Sequence, residues 1–589
     1  MSTSRAAFRR THRTSSQRVW VRATYAFIVI WFFGMAPLEF WGLPGRSADG
    51  TLFGGGPPWP AETYAIEETL AERKARDGGA DTDLDPVSAG DAAVSLTASP
   101  ADRAAILRRY RLFSRQPDEM ITFMALQRMN PGARDFDPRL YQYGGAYIYL
   151  VGAAVTLASV TGYTSIGGDV SRFLEDPTLF AHFYVVSRFL TLAFGALLLA
   201  MVGKLAARLV NAPARFVVVV SLALTPVFIT TVTEAKPHLP SAALLVTAVW
   251  FACEYARSGR STHAYIAGVC AGLAFSFVLT GLAAFCCFLP IFFGVIQTRE
   301  DKLARVRLQR TPLVGAMLIG LGIYGLTNFY FLYNLLFHRA LITGNVANST
   351  AMYVLPAQHP LSGAIRVVVL LHECVGLLTP TIGLFGLVVL CYRKPRSGAI
   401  VVAPAIAFLA AAIFLAHGKP AEFGRFLLVP ALALVLGATQ LFCGFWRTHA
   451  WLAAAGVGQF LIASGTVSYL RSIYLDAKAV HESRTTAARW IEENISLEHT
   501  IGLLQEPAPY AVPPIDFTRR QIVLLPPVAP EQIDVTDLPE WLVFTADNAA
   551  MQRAAWWQTH YRLERVFPSS PATNQITWAN KPVYLYSQQ

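Results

Sequence analysis

Gln116-Pro117-Asp118-Glu119 leads into a helix-like run, Met120 to Met129. Asp135-Phe136-Asp137-Pro138 follows, and the chain then turns apolar as Tyr141-Gln142-Tyr143-Gly144-Gly145-Ala146-Tyr147-Ile148-Tyr149-Leu150. Two adjacent carboxylates thus start a helix just ahead of an apolar block, Tyr141 to Tyr163, close to the ~20 residues that cross a bilayer as helix. Outward from this stretch the pattern repeats, with similar blocks at Ala23–Leu43, Ala181–Gly203, Phe216–Glu234, His238–Tyr255, His263–Val278 and Gly281–Ile296. Further blocks are Pro312–Leu336, Gly376–Tyr392, Ala399–Ala416, Phe423–Phe442 and His449–Leu470. The 589 residues are 54% hydrophobic and only 15% charged, with a mean hydropathy of +0.40. Soluble domains carry about a quarter charged residues, so this chain cannot coat soluble globules of its length. It reads as a polytopic α-helical membrane protein, which excludes disorder, collagen-like repeats and small disulfide-stapled secreted domains.

The net charge of +11 could suggest nucleic acid, but Lys and Arg beside helix ends report membrane orientation instead. Arg5, Arg9, Arg10, Arg13, Arg18 and Arg22, with no acid among them, precede the first block. This reads as a signal anchor with a cytoplasmic N-terminus, since the apolar stretch outlasts a ~7 to 15 residue signal-peptide core. Basic clusters at Lys204/Arg208/Arg215, Arg257/Arg260, Arg299 to Arg310, Arg393/Lys394/Arg396 and Arg447 alternate with connections poor in positive charge. The alternation closes if Tyr141–Tyr163 makes no net crossing, so the expectation is about 11 crossings plus one re-entrant or interfacial segment.

The division expected is a cytoplasmic basic N-terminus (1–22), a first transmembrane helix (23–43), a large external loop (44–140), a membrane-embedded bundle (141–470) and an external domain (471–589). The loop holds 15 acidic and 12 basic residues and the C-terminal portion 13 and 10, so both are net negative, as external parts should be. Within the loop, Gly78–Pro100 reads as flexible, and Ala101–Ser114 and Asp118–Met129 as amphipathic helices. The C-terminal portion opens with a helix at His481–Ile495. Short apolar runs follow at Thr500–Leu504, Gln521–Leu525, Trp541–Thr545 and Val583–Tyr586, with a second helix about Asn548–His560, which together read as a small α/β domain.

Carboxylates at a helix start are stabilised by free N–H groups and the helix dipole, so Asp118 and Glu119 could be an ordinary cap. The alternative is a general base held over a membrane-facing cavity. The order of features around them is informative. An acidic pair opening a helix, a proline about twenty residues on and a Tyr/Gly-rich approach to the membrane resemble the first external loop of GT-C superfamily glycosyltransferases. The likeness is to the bacterial branch with protein mannosyltransferases and aminoarabinose transferases. Arg188-Phe189-Leu190, Thr230-Thr231-Val232-Thr233-Glu234-Ala235-Lys236-Pro237-His238 and Lys419-Pro420-Ala421-Glu422-Phe423-Gly424-Arg425-Phe426 are similar to further segments of that family, and so is Ala488-Arg489-Trp490-Ile491 near the C-terminus.

The resemblance implies a GT-C-like bundle and an inverting transfer from a polyprenyl-phosphate-linked sugar to an acceptor at the outer face of the membrane. An acceptor hydroxyl needs a base and a leaving phosphate needs cations. Asp118 is expected to be the base, with Glu119 orienting it or the acceptor. Lys236, Lys419 and Arg425 are expected to hold the phosphate, and Glu234, His238, Tyr141 and Tyr143 to orient acceptor or donor. The partners expected are the donor, the bilayer and a glycan, lipid or protein acceptor, with no nucleic acid. Asp49 competes with Asp118 for the base, and Arg188 could be purely structural. Two departures stand out: His238 replaces an Asp common in relatives, and Val278 replaces a lysine. No Asp/Glu/His cluster suggests a metal, no other cofactor is expected, and the seven cysteines show no zinc or disulfide spacing. A transporter or flippase, or a catalytically silent glycolipid-binding scaffold, are the rival readings. The charges at helix ends rather than at the midplane favour the enzyme over a transporter.

Overall fold

A computed structural model describes residues 2–46, 48–52, 94–96, 100–167, 169–294, 309–339, 341–343, 361–415, 421–444, 470, 482–505, 507–525, 538–545, 559–567 and 581–589. The helices that matter here are α1 (Ser2–Met35), α2 (Pro100–Leu112), α3 (Met120–Gln127), α4 (Gly145–Val160), α5 (Pro177–Leu209), α6 (Ala212–Ala223), α7 (Pro226–Val232), α8 (His238–Ser258) and α9 (Ser261–Phe277). They continue with α10 (Thr311–Thr327), α11 (Phe329–Phe337), α12 (Ser362–Val375), α13 (Thr379–Arg393), α14 (Pro395–Leu415), α15 (Leu428–Gly444) and α16 (Ser483–Asn494).

Five segments are single helices long and apolar enough to cross a membrane: Gln17–Phe40, Pro177–Leu209, His238–Ser258, Pro395–Phe414 and Gly424–Gly444. Three further pairs pass the same test but are broken, α6/α7 by 69°, α10/α11 by 76° and α12/α13 by 95°, for up to eight spans in all. The eleven crossings expected are therefore not reproduced among the described residues, and the block His449–Leu470 lies outside them but for Leu470. Two of the expected blocks fall short of spanning length: His263–Val278 forms α9, which is 17 residues long, and Gly281–Ile296 forms a 3₁₀ run, Leu279–Phe288, and one short turn instead of a long α-helix. At the α6/α7 break, Thr225 is extended and Pro226 restarts the helix at its first turn, where a missing N–H costs nothing. α4 is 16 residues long, a little under the ~17 to 25 residues of an ordinary crossing.

The Tyr143-Gly144-Gly145 step seats α4 against two of these breaks. Gly144 N–H donates to Phe277 O (2.9 Å) at the end of α9, and Gly145 N–H donates to Asn328 Oδ1 (2.8 Å) at the α10/α11 bend. A side chain is impossible at either position: a Cβ would lie 2.0 Å from Ser276 O or 2.2 Å from Thr327 O. One apolar core unites α1, α5–α9 and α12–α15, and a second joins α2, α3, α4 and the start of α5.

The C-terminal domain is an α/β unit with strands β1 (Val94–Ser95), β2 (Ile501–Leu503), β3 (Ile522–Leu524), β4 (Trp541–Thr545), β5 (Tyr561–Phe567) and β6 (Val583–Gln588), in the order β1-β3-β2-β4-β6-β5. β3, β2 and β4 are parallel, and the other pairings are antiparallel. The loop and the C-terminal domain share one sheet and one core. β1 comes from the loop, within the stretch expected to be flexible, and pairs Val94 with Leu524. Leu52, Leu96, Ala105, Ile106 and Tyr110 of the loop share one core with Ile491, Ile501, Phe517 and Leu585. α16 and the four apolar runs lie where expected, whereas β5 is an addition. Its exposed Arg562, Glu564 and Arg565 fit a charged sheet edge, which resists pairing with other chains. The expected helix about Asn548–His560 falls almost wholly outside the described residues.

Candidate functional site

The loop between α2 and α3 is fixed from below by its second carboxylate. Glu119 is fully buried, receives Nε and Nη2 of Arg188 at 2.8 Å each, and accepts from Ala235 N (2.6 Å) and Ser114 Oγ (2.5 Å). Arg188, from α5, also donates Nη1 to Glu39 O (2.8 Å) and Trp41 O (2.6 Å), and lies 5.1 Å from the centre of the Trp41 ring. Four segments far apart in sequence thus meet at one guanidinium–carboxylate pair. Paired planar donors and a carboxylate suit such a buried site, where an unpartnered charge is costly. Glu119, expected at the chemistry or orienting it, is instead enclosed and saturated with partners, and Arg188 is its structural counter-ion. The short helix turn Pro117–Glu119 is capped by neither acid, because Gln116 Oε1 takes Asp118 N–H (2.8 Å).

With its backbone held this way, Asp118 turns its carboxylate to the opposite side. Oδ2 receives Lys236 Nζ at 3.2 Å and, more closely, Arg425 Nη1. Lys236 stands in the connection between α7 and α8 and also approaches Glu234 Oε2 at 3.6 Å. Arg425 lies in a 3₁₀ turn, Ala421–Leu427, leading into α15. Asp118, Glu234, Lys236, His238 and Arg425 are all less than a tenth exposed. Two cations and two carboxylates therefore share a largely dry site, where charges interact more strongly than in water. Burial alone would raise the Asp118 carboxyl, but Lys236 and Arg425 outweigh it and hold the group well below the usual carboxylate range. Glu234 goes the other way: burial pushes it up, Glu119 and Asp118 add to that push, and Lys236 only partly offsets it.

Aromatic rings wall the cluster. His238 makes edge contacts with Tyr143 (6.1 Å between ring centres) and Phe426 (5.3 Å), and the Arg425 guanidinium lies 5.2 Å from the Phe426 ring centre. Tyr143 O–H donates to Asp118 O at 3.4 Å. His238 Nδ1 is buried and makes no hydrogen bond among the described residues. Of the residues anticipated from sequence, the structure gathers Asp118, Lys236, Arg425, Glu234, His238 and Tyr143. It does not bring Tyr141 there. Tyr141 O–H donates to Asp137 Oδ1 (2.7 Å), beside Asn334, whose amide donates to Asp137 Oδ2 (2.8 Å), in a separate polar knot tying α11 to the loop. Asp49 is likewise elsewhere, paired with Arg111 at 2.8 Å. Lys419 falls outside the described residues. Val278 is buried in an extended turn between α9 and the 3₁₀ run.

Sequence reading missed Gln116 as the cap and Ser114 and Trp41 as supports. It also missed Tyr184, whose hydroxyl donates to Leu112 O (2.9 Å) and accepts from Ser114 N–H (3.3 Å). Trp41 and Tyr184 act across the fold, and Gln116 and Ser114 act within a short turn whose geometry residue type alone does not mark. Among the described residues, no group of three or more His, Cys, Asp or Glu is placed to hold a metal ion.

No family model matches the chain, and no curated protein matches it. Among solved structures, ArnT from Cupriavidus metallidurans bound to undecaprenyl phosphate is similar, with a TM-score of 0.40 and 12% identity over 96% of this chain and 98% of that one. The Archaeoglobus fulgidus oligosaccharyltransferase in complex with Zn and sulfate gives a TM-score of 0.36 and 15% identity over 73% of this chain and 59% of that chain. AglB from the same organism, in complex with an inhibitory peptide and a dolichol-phosphate, gives 0.34 and 14% over 80% and 65%. The overlap is loose in every case.

Proposed function

We propose that the chain is an inverting glycosyltransferase that moves a sugar from a polyprenyl-phosphate-linked donor to an acceptor hydroxyl at the outer face of the membrane. The observation that carries this reading is the buried cluster of Asp118, Lys236 and Arg425. One carboxylate and two cations meet where three membrane helices begin or end, in a chain whose motif order resembles the GT-C superfamily.

The donor phosphate, a diester with one negative charge, enters between Lys236 and Arg425 and replaces Asp118 as their partner. Asp118, no longer held by two cations, regains ordinary basicity and takes the proton of the acceptor hydroxyl. The acceptor oxygen bonds to the anomeric carbon as the bond from that carbon to the phosphate oxygen breaks. The electron pair leaves on the polyprenyl phosphate, which gains a second negative charge that Lys236 and Arg425 stabilise. A single displacement, with acceptor and leaving group on opposite faces of the sugar, inverts the anomeric centre. Glu234, His238 and Tyr143 are the candidates for holding sugar or acceptor hydroxyls, and Lys419 remains a candidate phosphate contact on its sequence position. Val278 in place of the relatives' lysine leaves the charge neutralisation to Lys236 and Arg425.

The test is release of free polyprenyl phosphate by the purified chain in liposomes supplied with a panel of polyprenyl-phosphate sugars and envelope glycans, lipids and proteins as acceptors. Release with at least one donor, dependent on Asp118, supports the reading. No release from any donor, or equal release by Asp118→Asn, overturns it.

A further inference from the structure

A cavity of about 1290 Å³ lies outside the ion cluster, between α2, α3, α4, the start of α5 and the α10/α11 bend. It exceeds the ~300 to 1,000 Å³ of most small-molecule pockets. Neither Asp118, Glu234, Lys236, His238 nor Arg425 lines it; Met120, Phe123 and Met124 of α3 do. Its floor is apolar and aromatic, with Phe173, Phe180 and Phe183 packed edge to face. Leu326, Phe329 and Ile166, which also line it, are 81%, 57% and 55% exposed. Exposed apolar residues at the rim favour contact with lipid over water, which suits entry from the side. Against this apolar lining stand three guanidinium groups, Arg108 and Arg109 of α2 and Arg128 at the end of α3.

We propose that this cavity is a binding site for an anionic membrane phospholipid, distinct from the donor site. An acyl chain fills the aromatic part, entering past Leu326 and Phe329, and the phosphate meets Arg108 and Arg128. The combination selects the ligand class. A water-soluble anion would leave the apolar floor empty, and a zwitterionic lipid would add a positive group among the arginines. Guanidinium–phosphate contacts are strong because they are charge-assisted and can be bidentate, and anionic headgroups are attracted to such basic sites at the membrane surface. Bound there, the lipid braces α2 and α3, the two helices that flank Asp118. The inference does not depend on the transferase reading, because its readout is lipid binding.

The experiment is native mass spectrometry and thermal melting of the full chain in detergent, titrated with phosphatidylglycerol or phosphatidylcholine. One tightly held phosphatidylglycerol and a raised melting temperature are expected, with phosphatidylcholine about tenfold weaker or worse. Arg108→Gln with Arg128→Gln, and separately Ala153→Trp, which fills the α4 wall, should each weaken phosphatidylglycerol binding by about tenfold or more. Equal binding of the two lipids, or full binding by both variants, overturns the proposal. So does displacement of phosphatidylglycerol by an equal amount of polyprenyl phosphate, which would make the cavity part of the donor path. Should the variants not fold, phosphatidylglycerol with a photoreactive group in its tail decides on the native chain: labels on α3 and α4 support the site, and labels found only elsewhere refute it.

Discussion

Two cations hold the Asp118 carboxylate, so as the structure stands it is charged at every working pH yet a poor acceptor of protons. The proposed chemistry requires both states in turn, with the donor phosphate making the exchange. Asn at this position keeps the shape and loses the charge, and the expected result is twofold. Turnover should fall by about 10² to 10⁴, while affinity for polyprenyl phosphate should rise, because Lys236 and Arg425 lose their competitor. A titration of the lipid phosphate against Asp118→Asn and the native chain checks it, and weaker binding by the variant contradicts the exchange. Arg425→Ala should weaken donor binding by roughly ten- to a hundredfold, since charge-assisted contacts contribute ~1.5 to 3 kcal/mol. Arg447→Ala, in a connection expected to be cytoplasmic, should leave it unchanged; equal effects would reduce Arg425 to a membrane-interface anchor. The Glu119–Arg188 pair predicts stability rather than rate. Arg188→Met should cost about 3 to 5 kcal/mol by leaving a buried carboxylate without its counter-ion, measured as loss of the folded fraction on heating. Adding Glu119→Gln should recover part of that loss. Charge and motif order made Asp118, Lys236 and Arg425 legible in the sequence. The division of labour between the adjacent acids was not, because it depends on Arg188 and Ala235, far along the chain, and on which side of a short helical turn each acid faces.

At the scale of elements, hydropathy located most of the apolar helices, though not α12 and not their breaks. The bends at Thr225 and Asn328 cost no apolar residues, so a composition window passes through them. What betrays them is local: Pro226 after an extended residue, and Asn328 in an otherwise apolar run, where its side chain serves Gly145. The same limit hid the link between loop and C-terminal domain. Tyr110 O–H donates to Val512 O (3.0 Å) and Arg109 Nη1 to Pro507 O (3.3 Å), across about 400 residues. Glu482 sits in that joint between Arg115 (3.7 Å) and Arg484, and its carboxylate caps α16 by accepting from Thr485 N–H (2.8 Å). Burial opposes its ionisation, but the two arginines prevail and pull the carboxyl down from 4.5 to about 2. A lowered carboxylate stabilises the fold above its unfolded pKa, so this contribution should be complete above about pH 4.5 and lost as pH falls towards 2. Hydrogen exchange at α2 and α16 between pH 5 and 2.5 should show this joint loosening, and Glu482→Gln should abolish that part of the acid sensitivity. Unchanged acid sensitivity in the variant would place its cause elsewhere.

For the whole molecule, sidedness rests on charge alternation and is the expectation most open to a direct experiment. Cysteines introduced in the basic connection Arg299 to Arg310 should react only from the cytoplasm, and cysteines at the exposed Arg562 or Glu564 only from outside. Labelling of both from one side contradicts the topology. The α/β domain was legible because its strands are short apolar runs between turns. Its sheet was not fully so, because β5 buries only its ends and β1 lies nearly the length of the protein away from its partner.

That last pairing also sets a schedule. Val94 leaves the ribosome about 430 residues before Leu524, and at ~5 to 20 residues per second the early strand waits on the order of a minute for the segment it pairs with. Every bundle helix among the described residues is made before the sheet that anchors the front of the Asp118 loop exists. A chain that stops early, or whose tail is left on the wrong side of the bilayer, could insert a complete bundle and still be unable to finish the loop that carries Asp118. Synthesis thereby leaves the proposed centre unfinished in incomplete products until the last strands arrive.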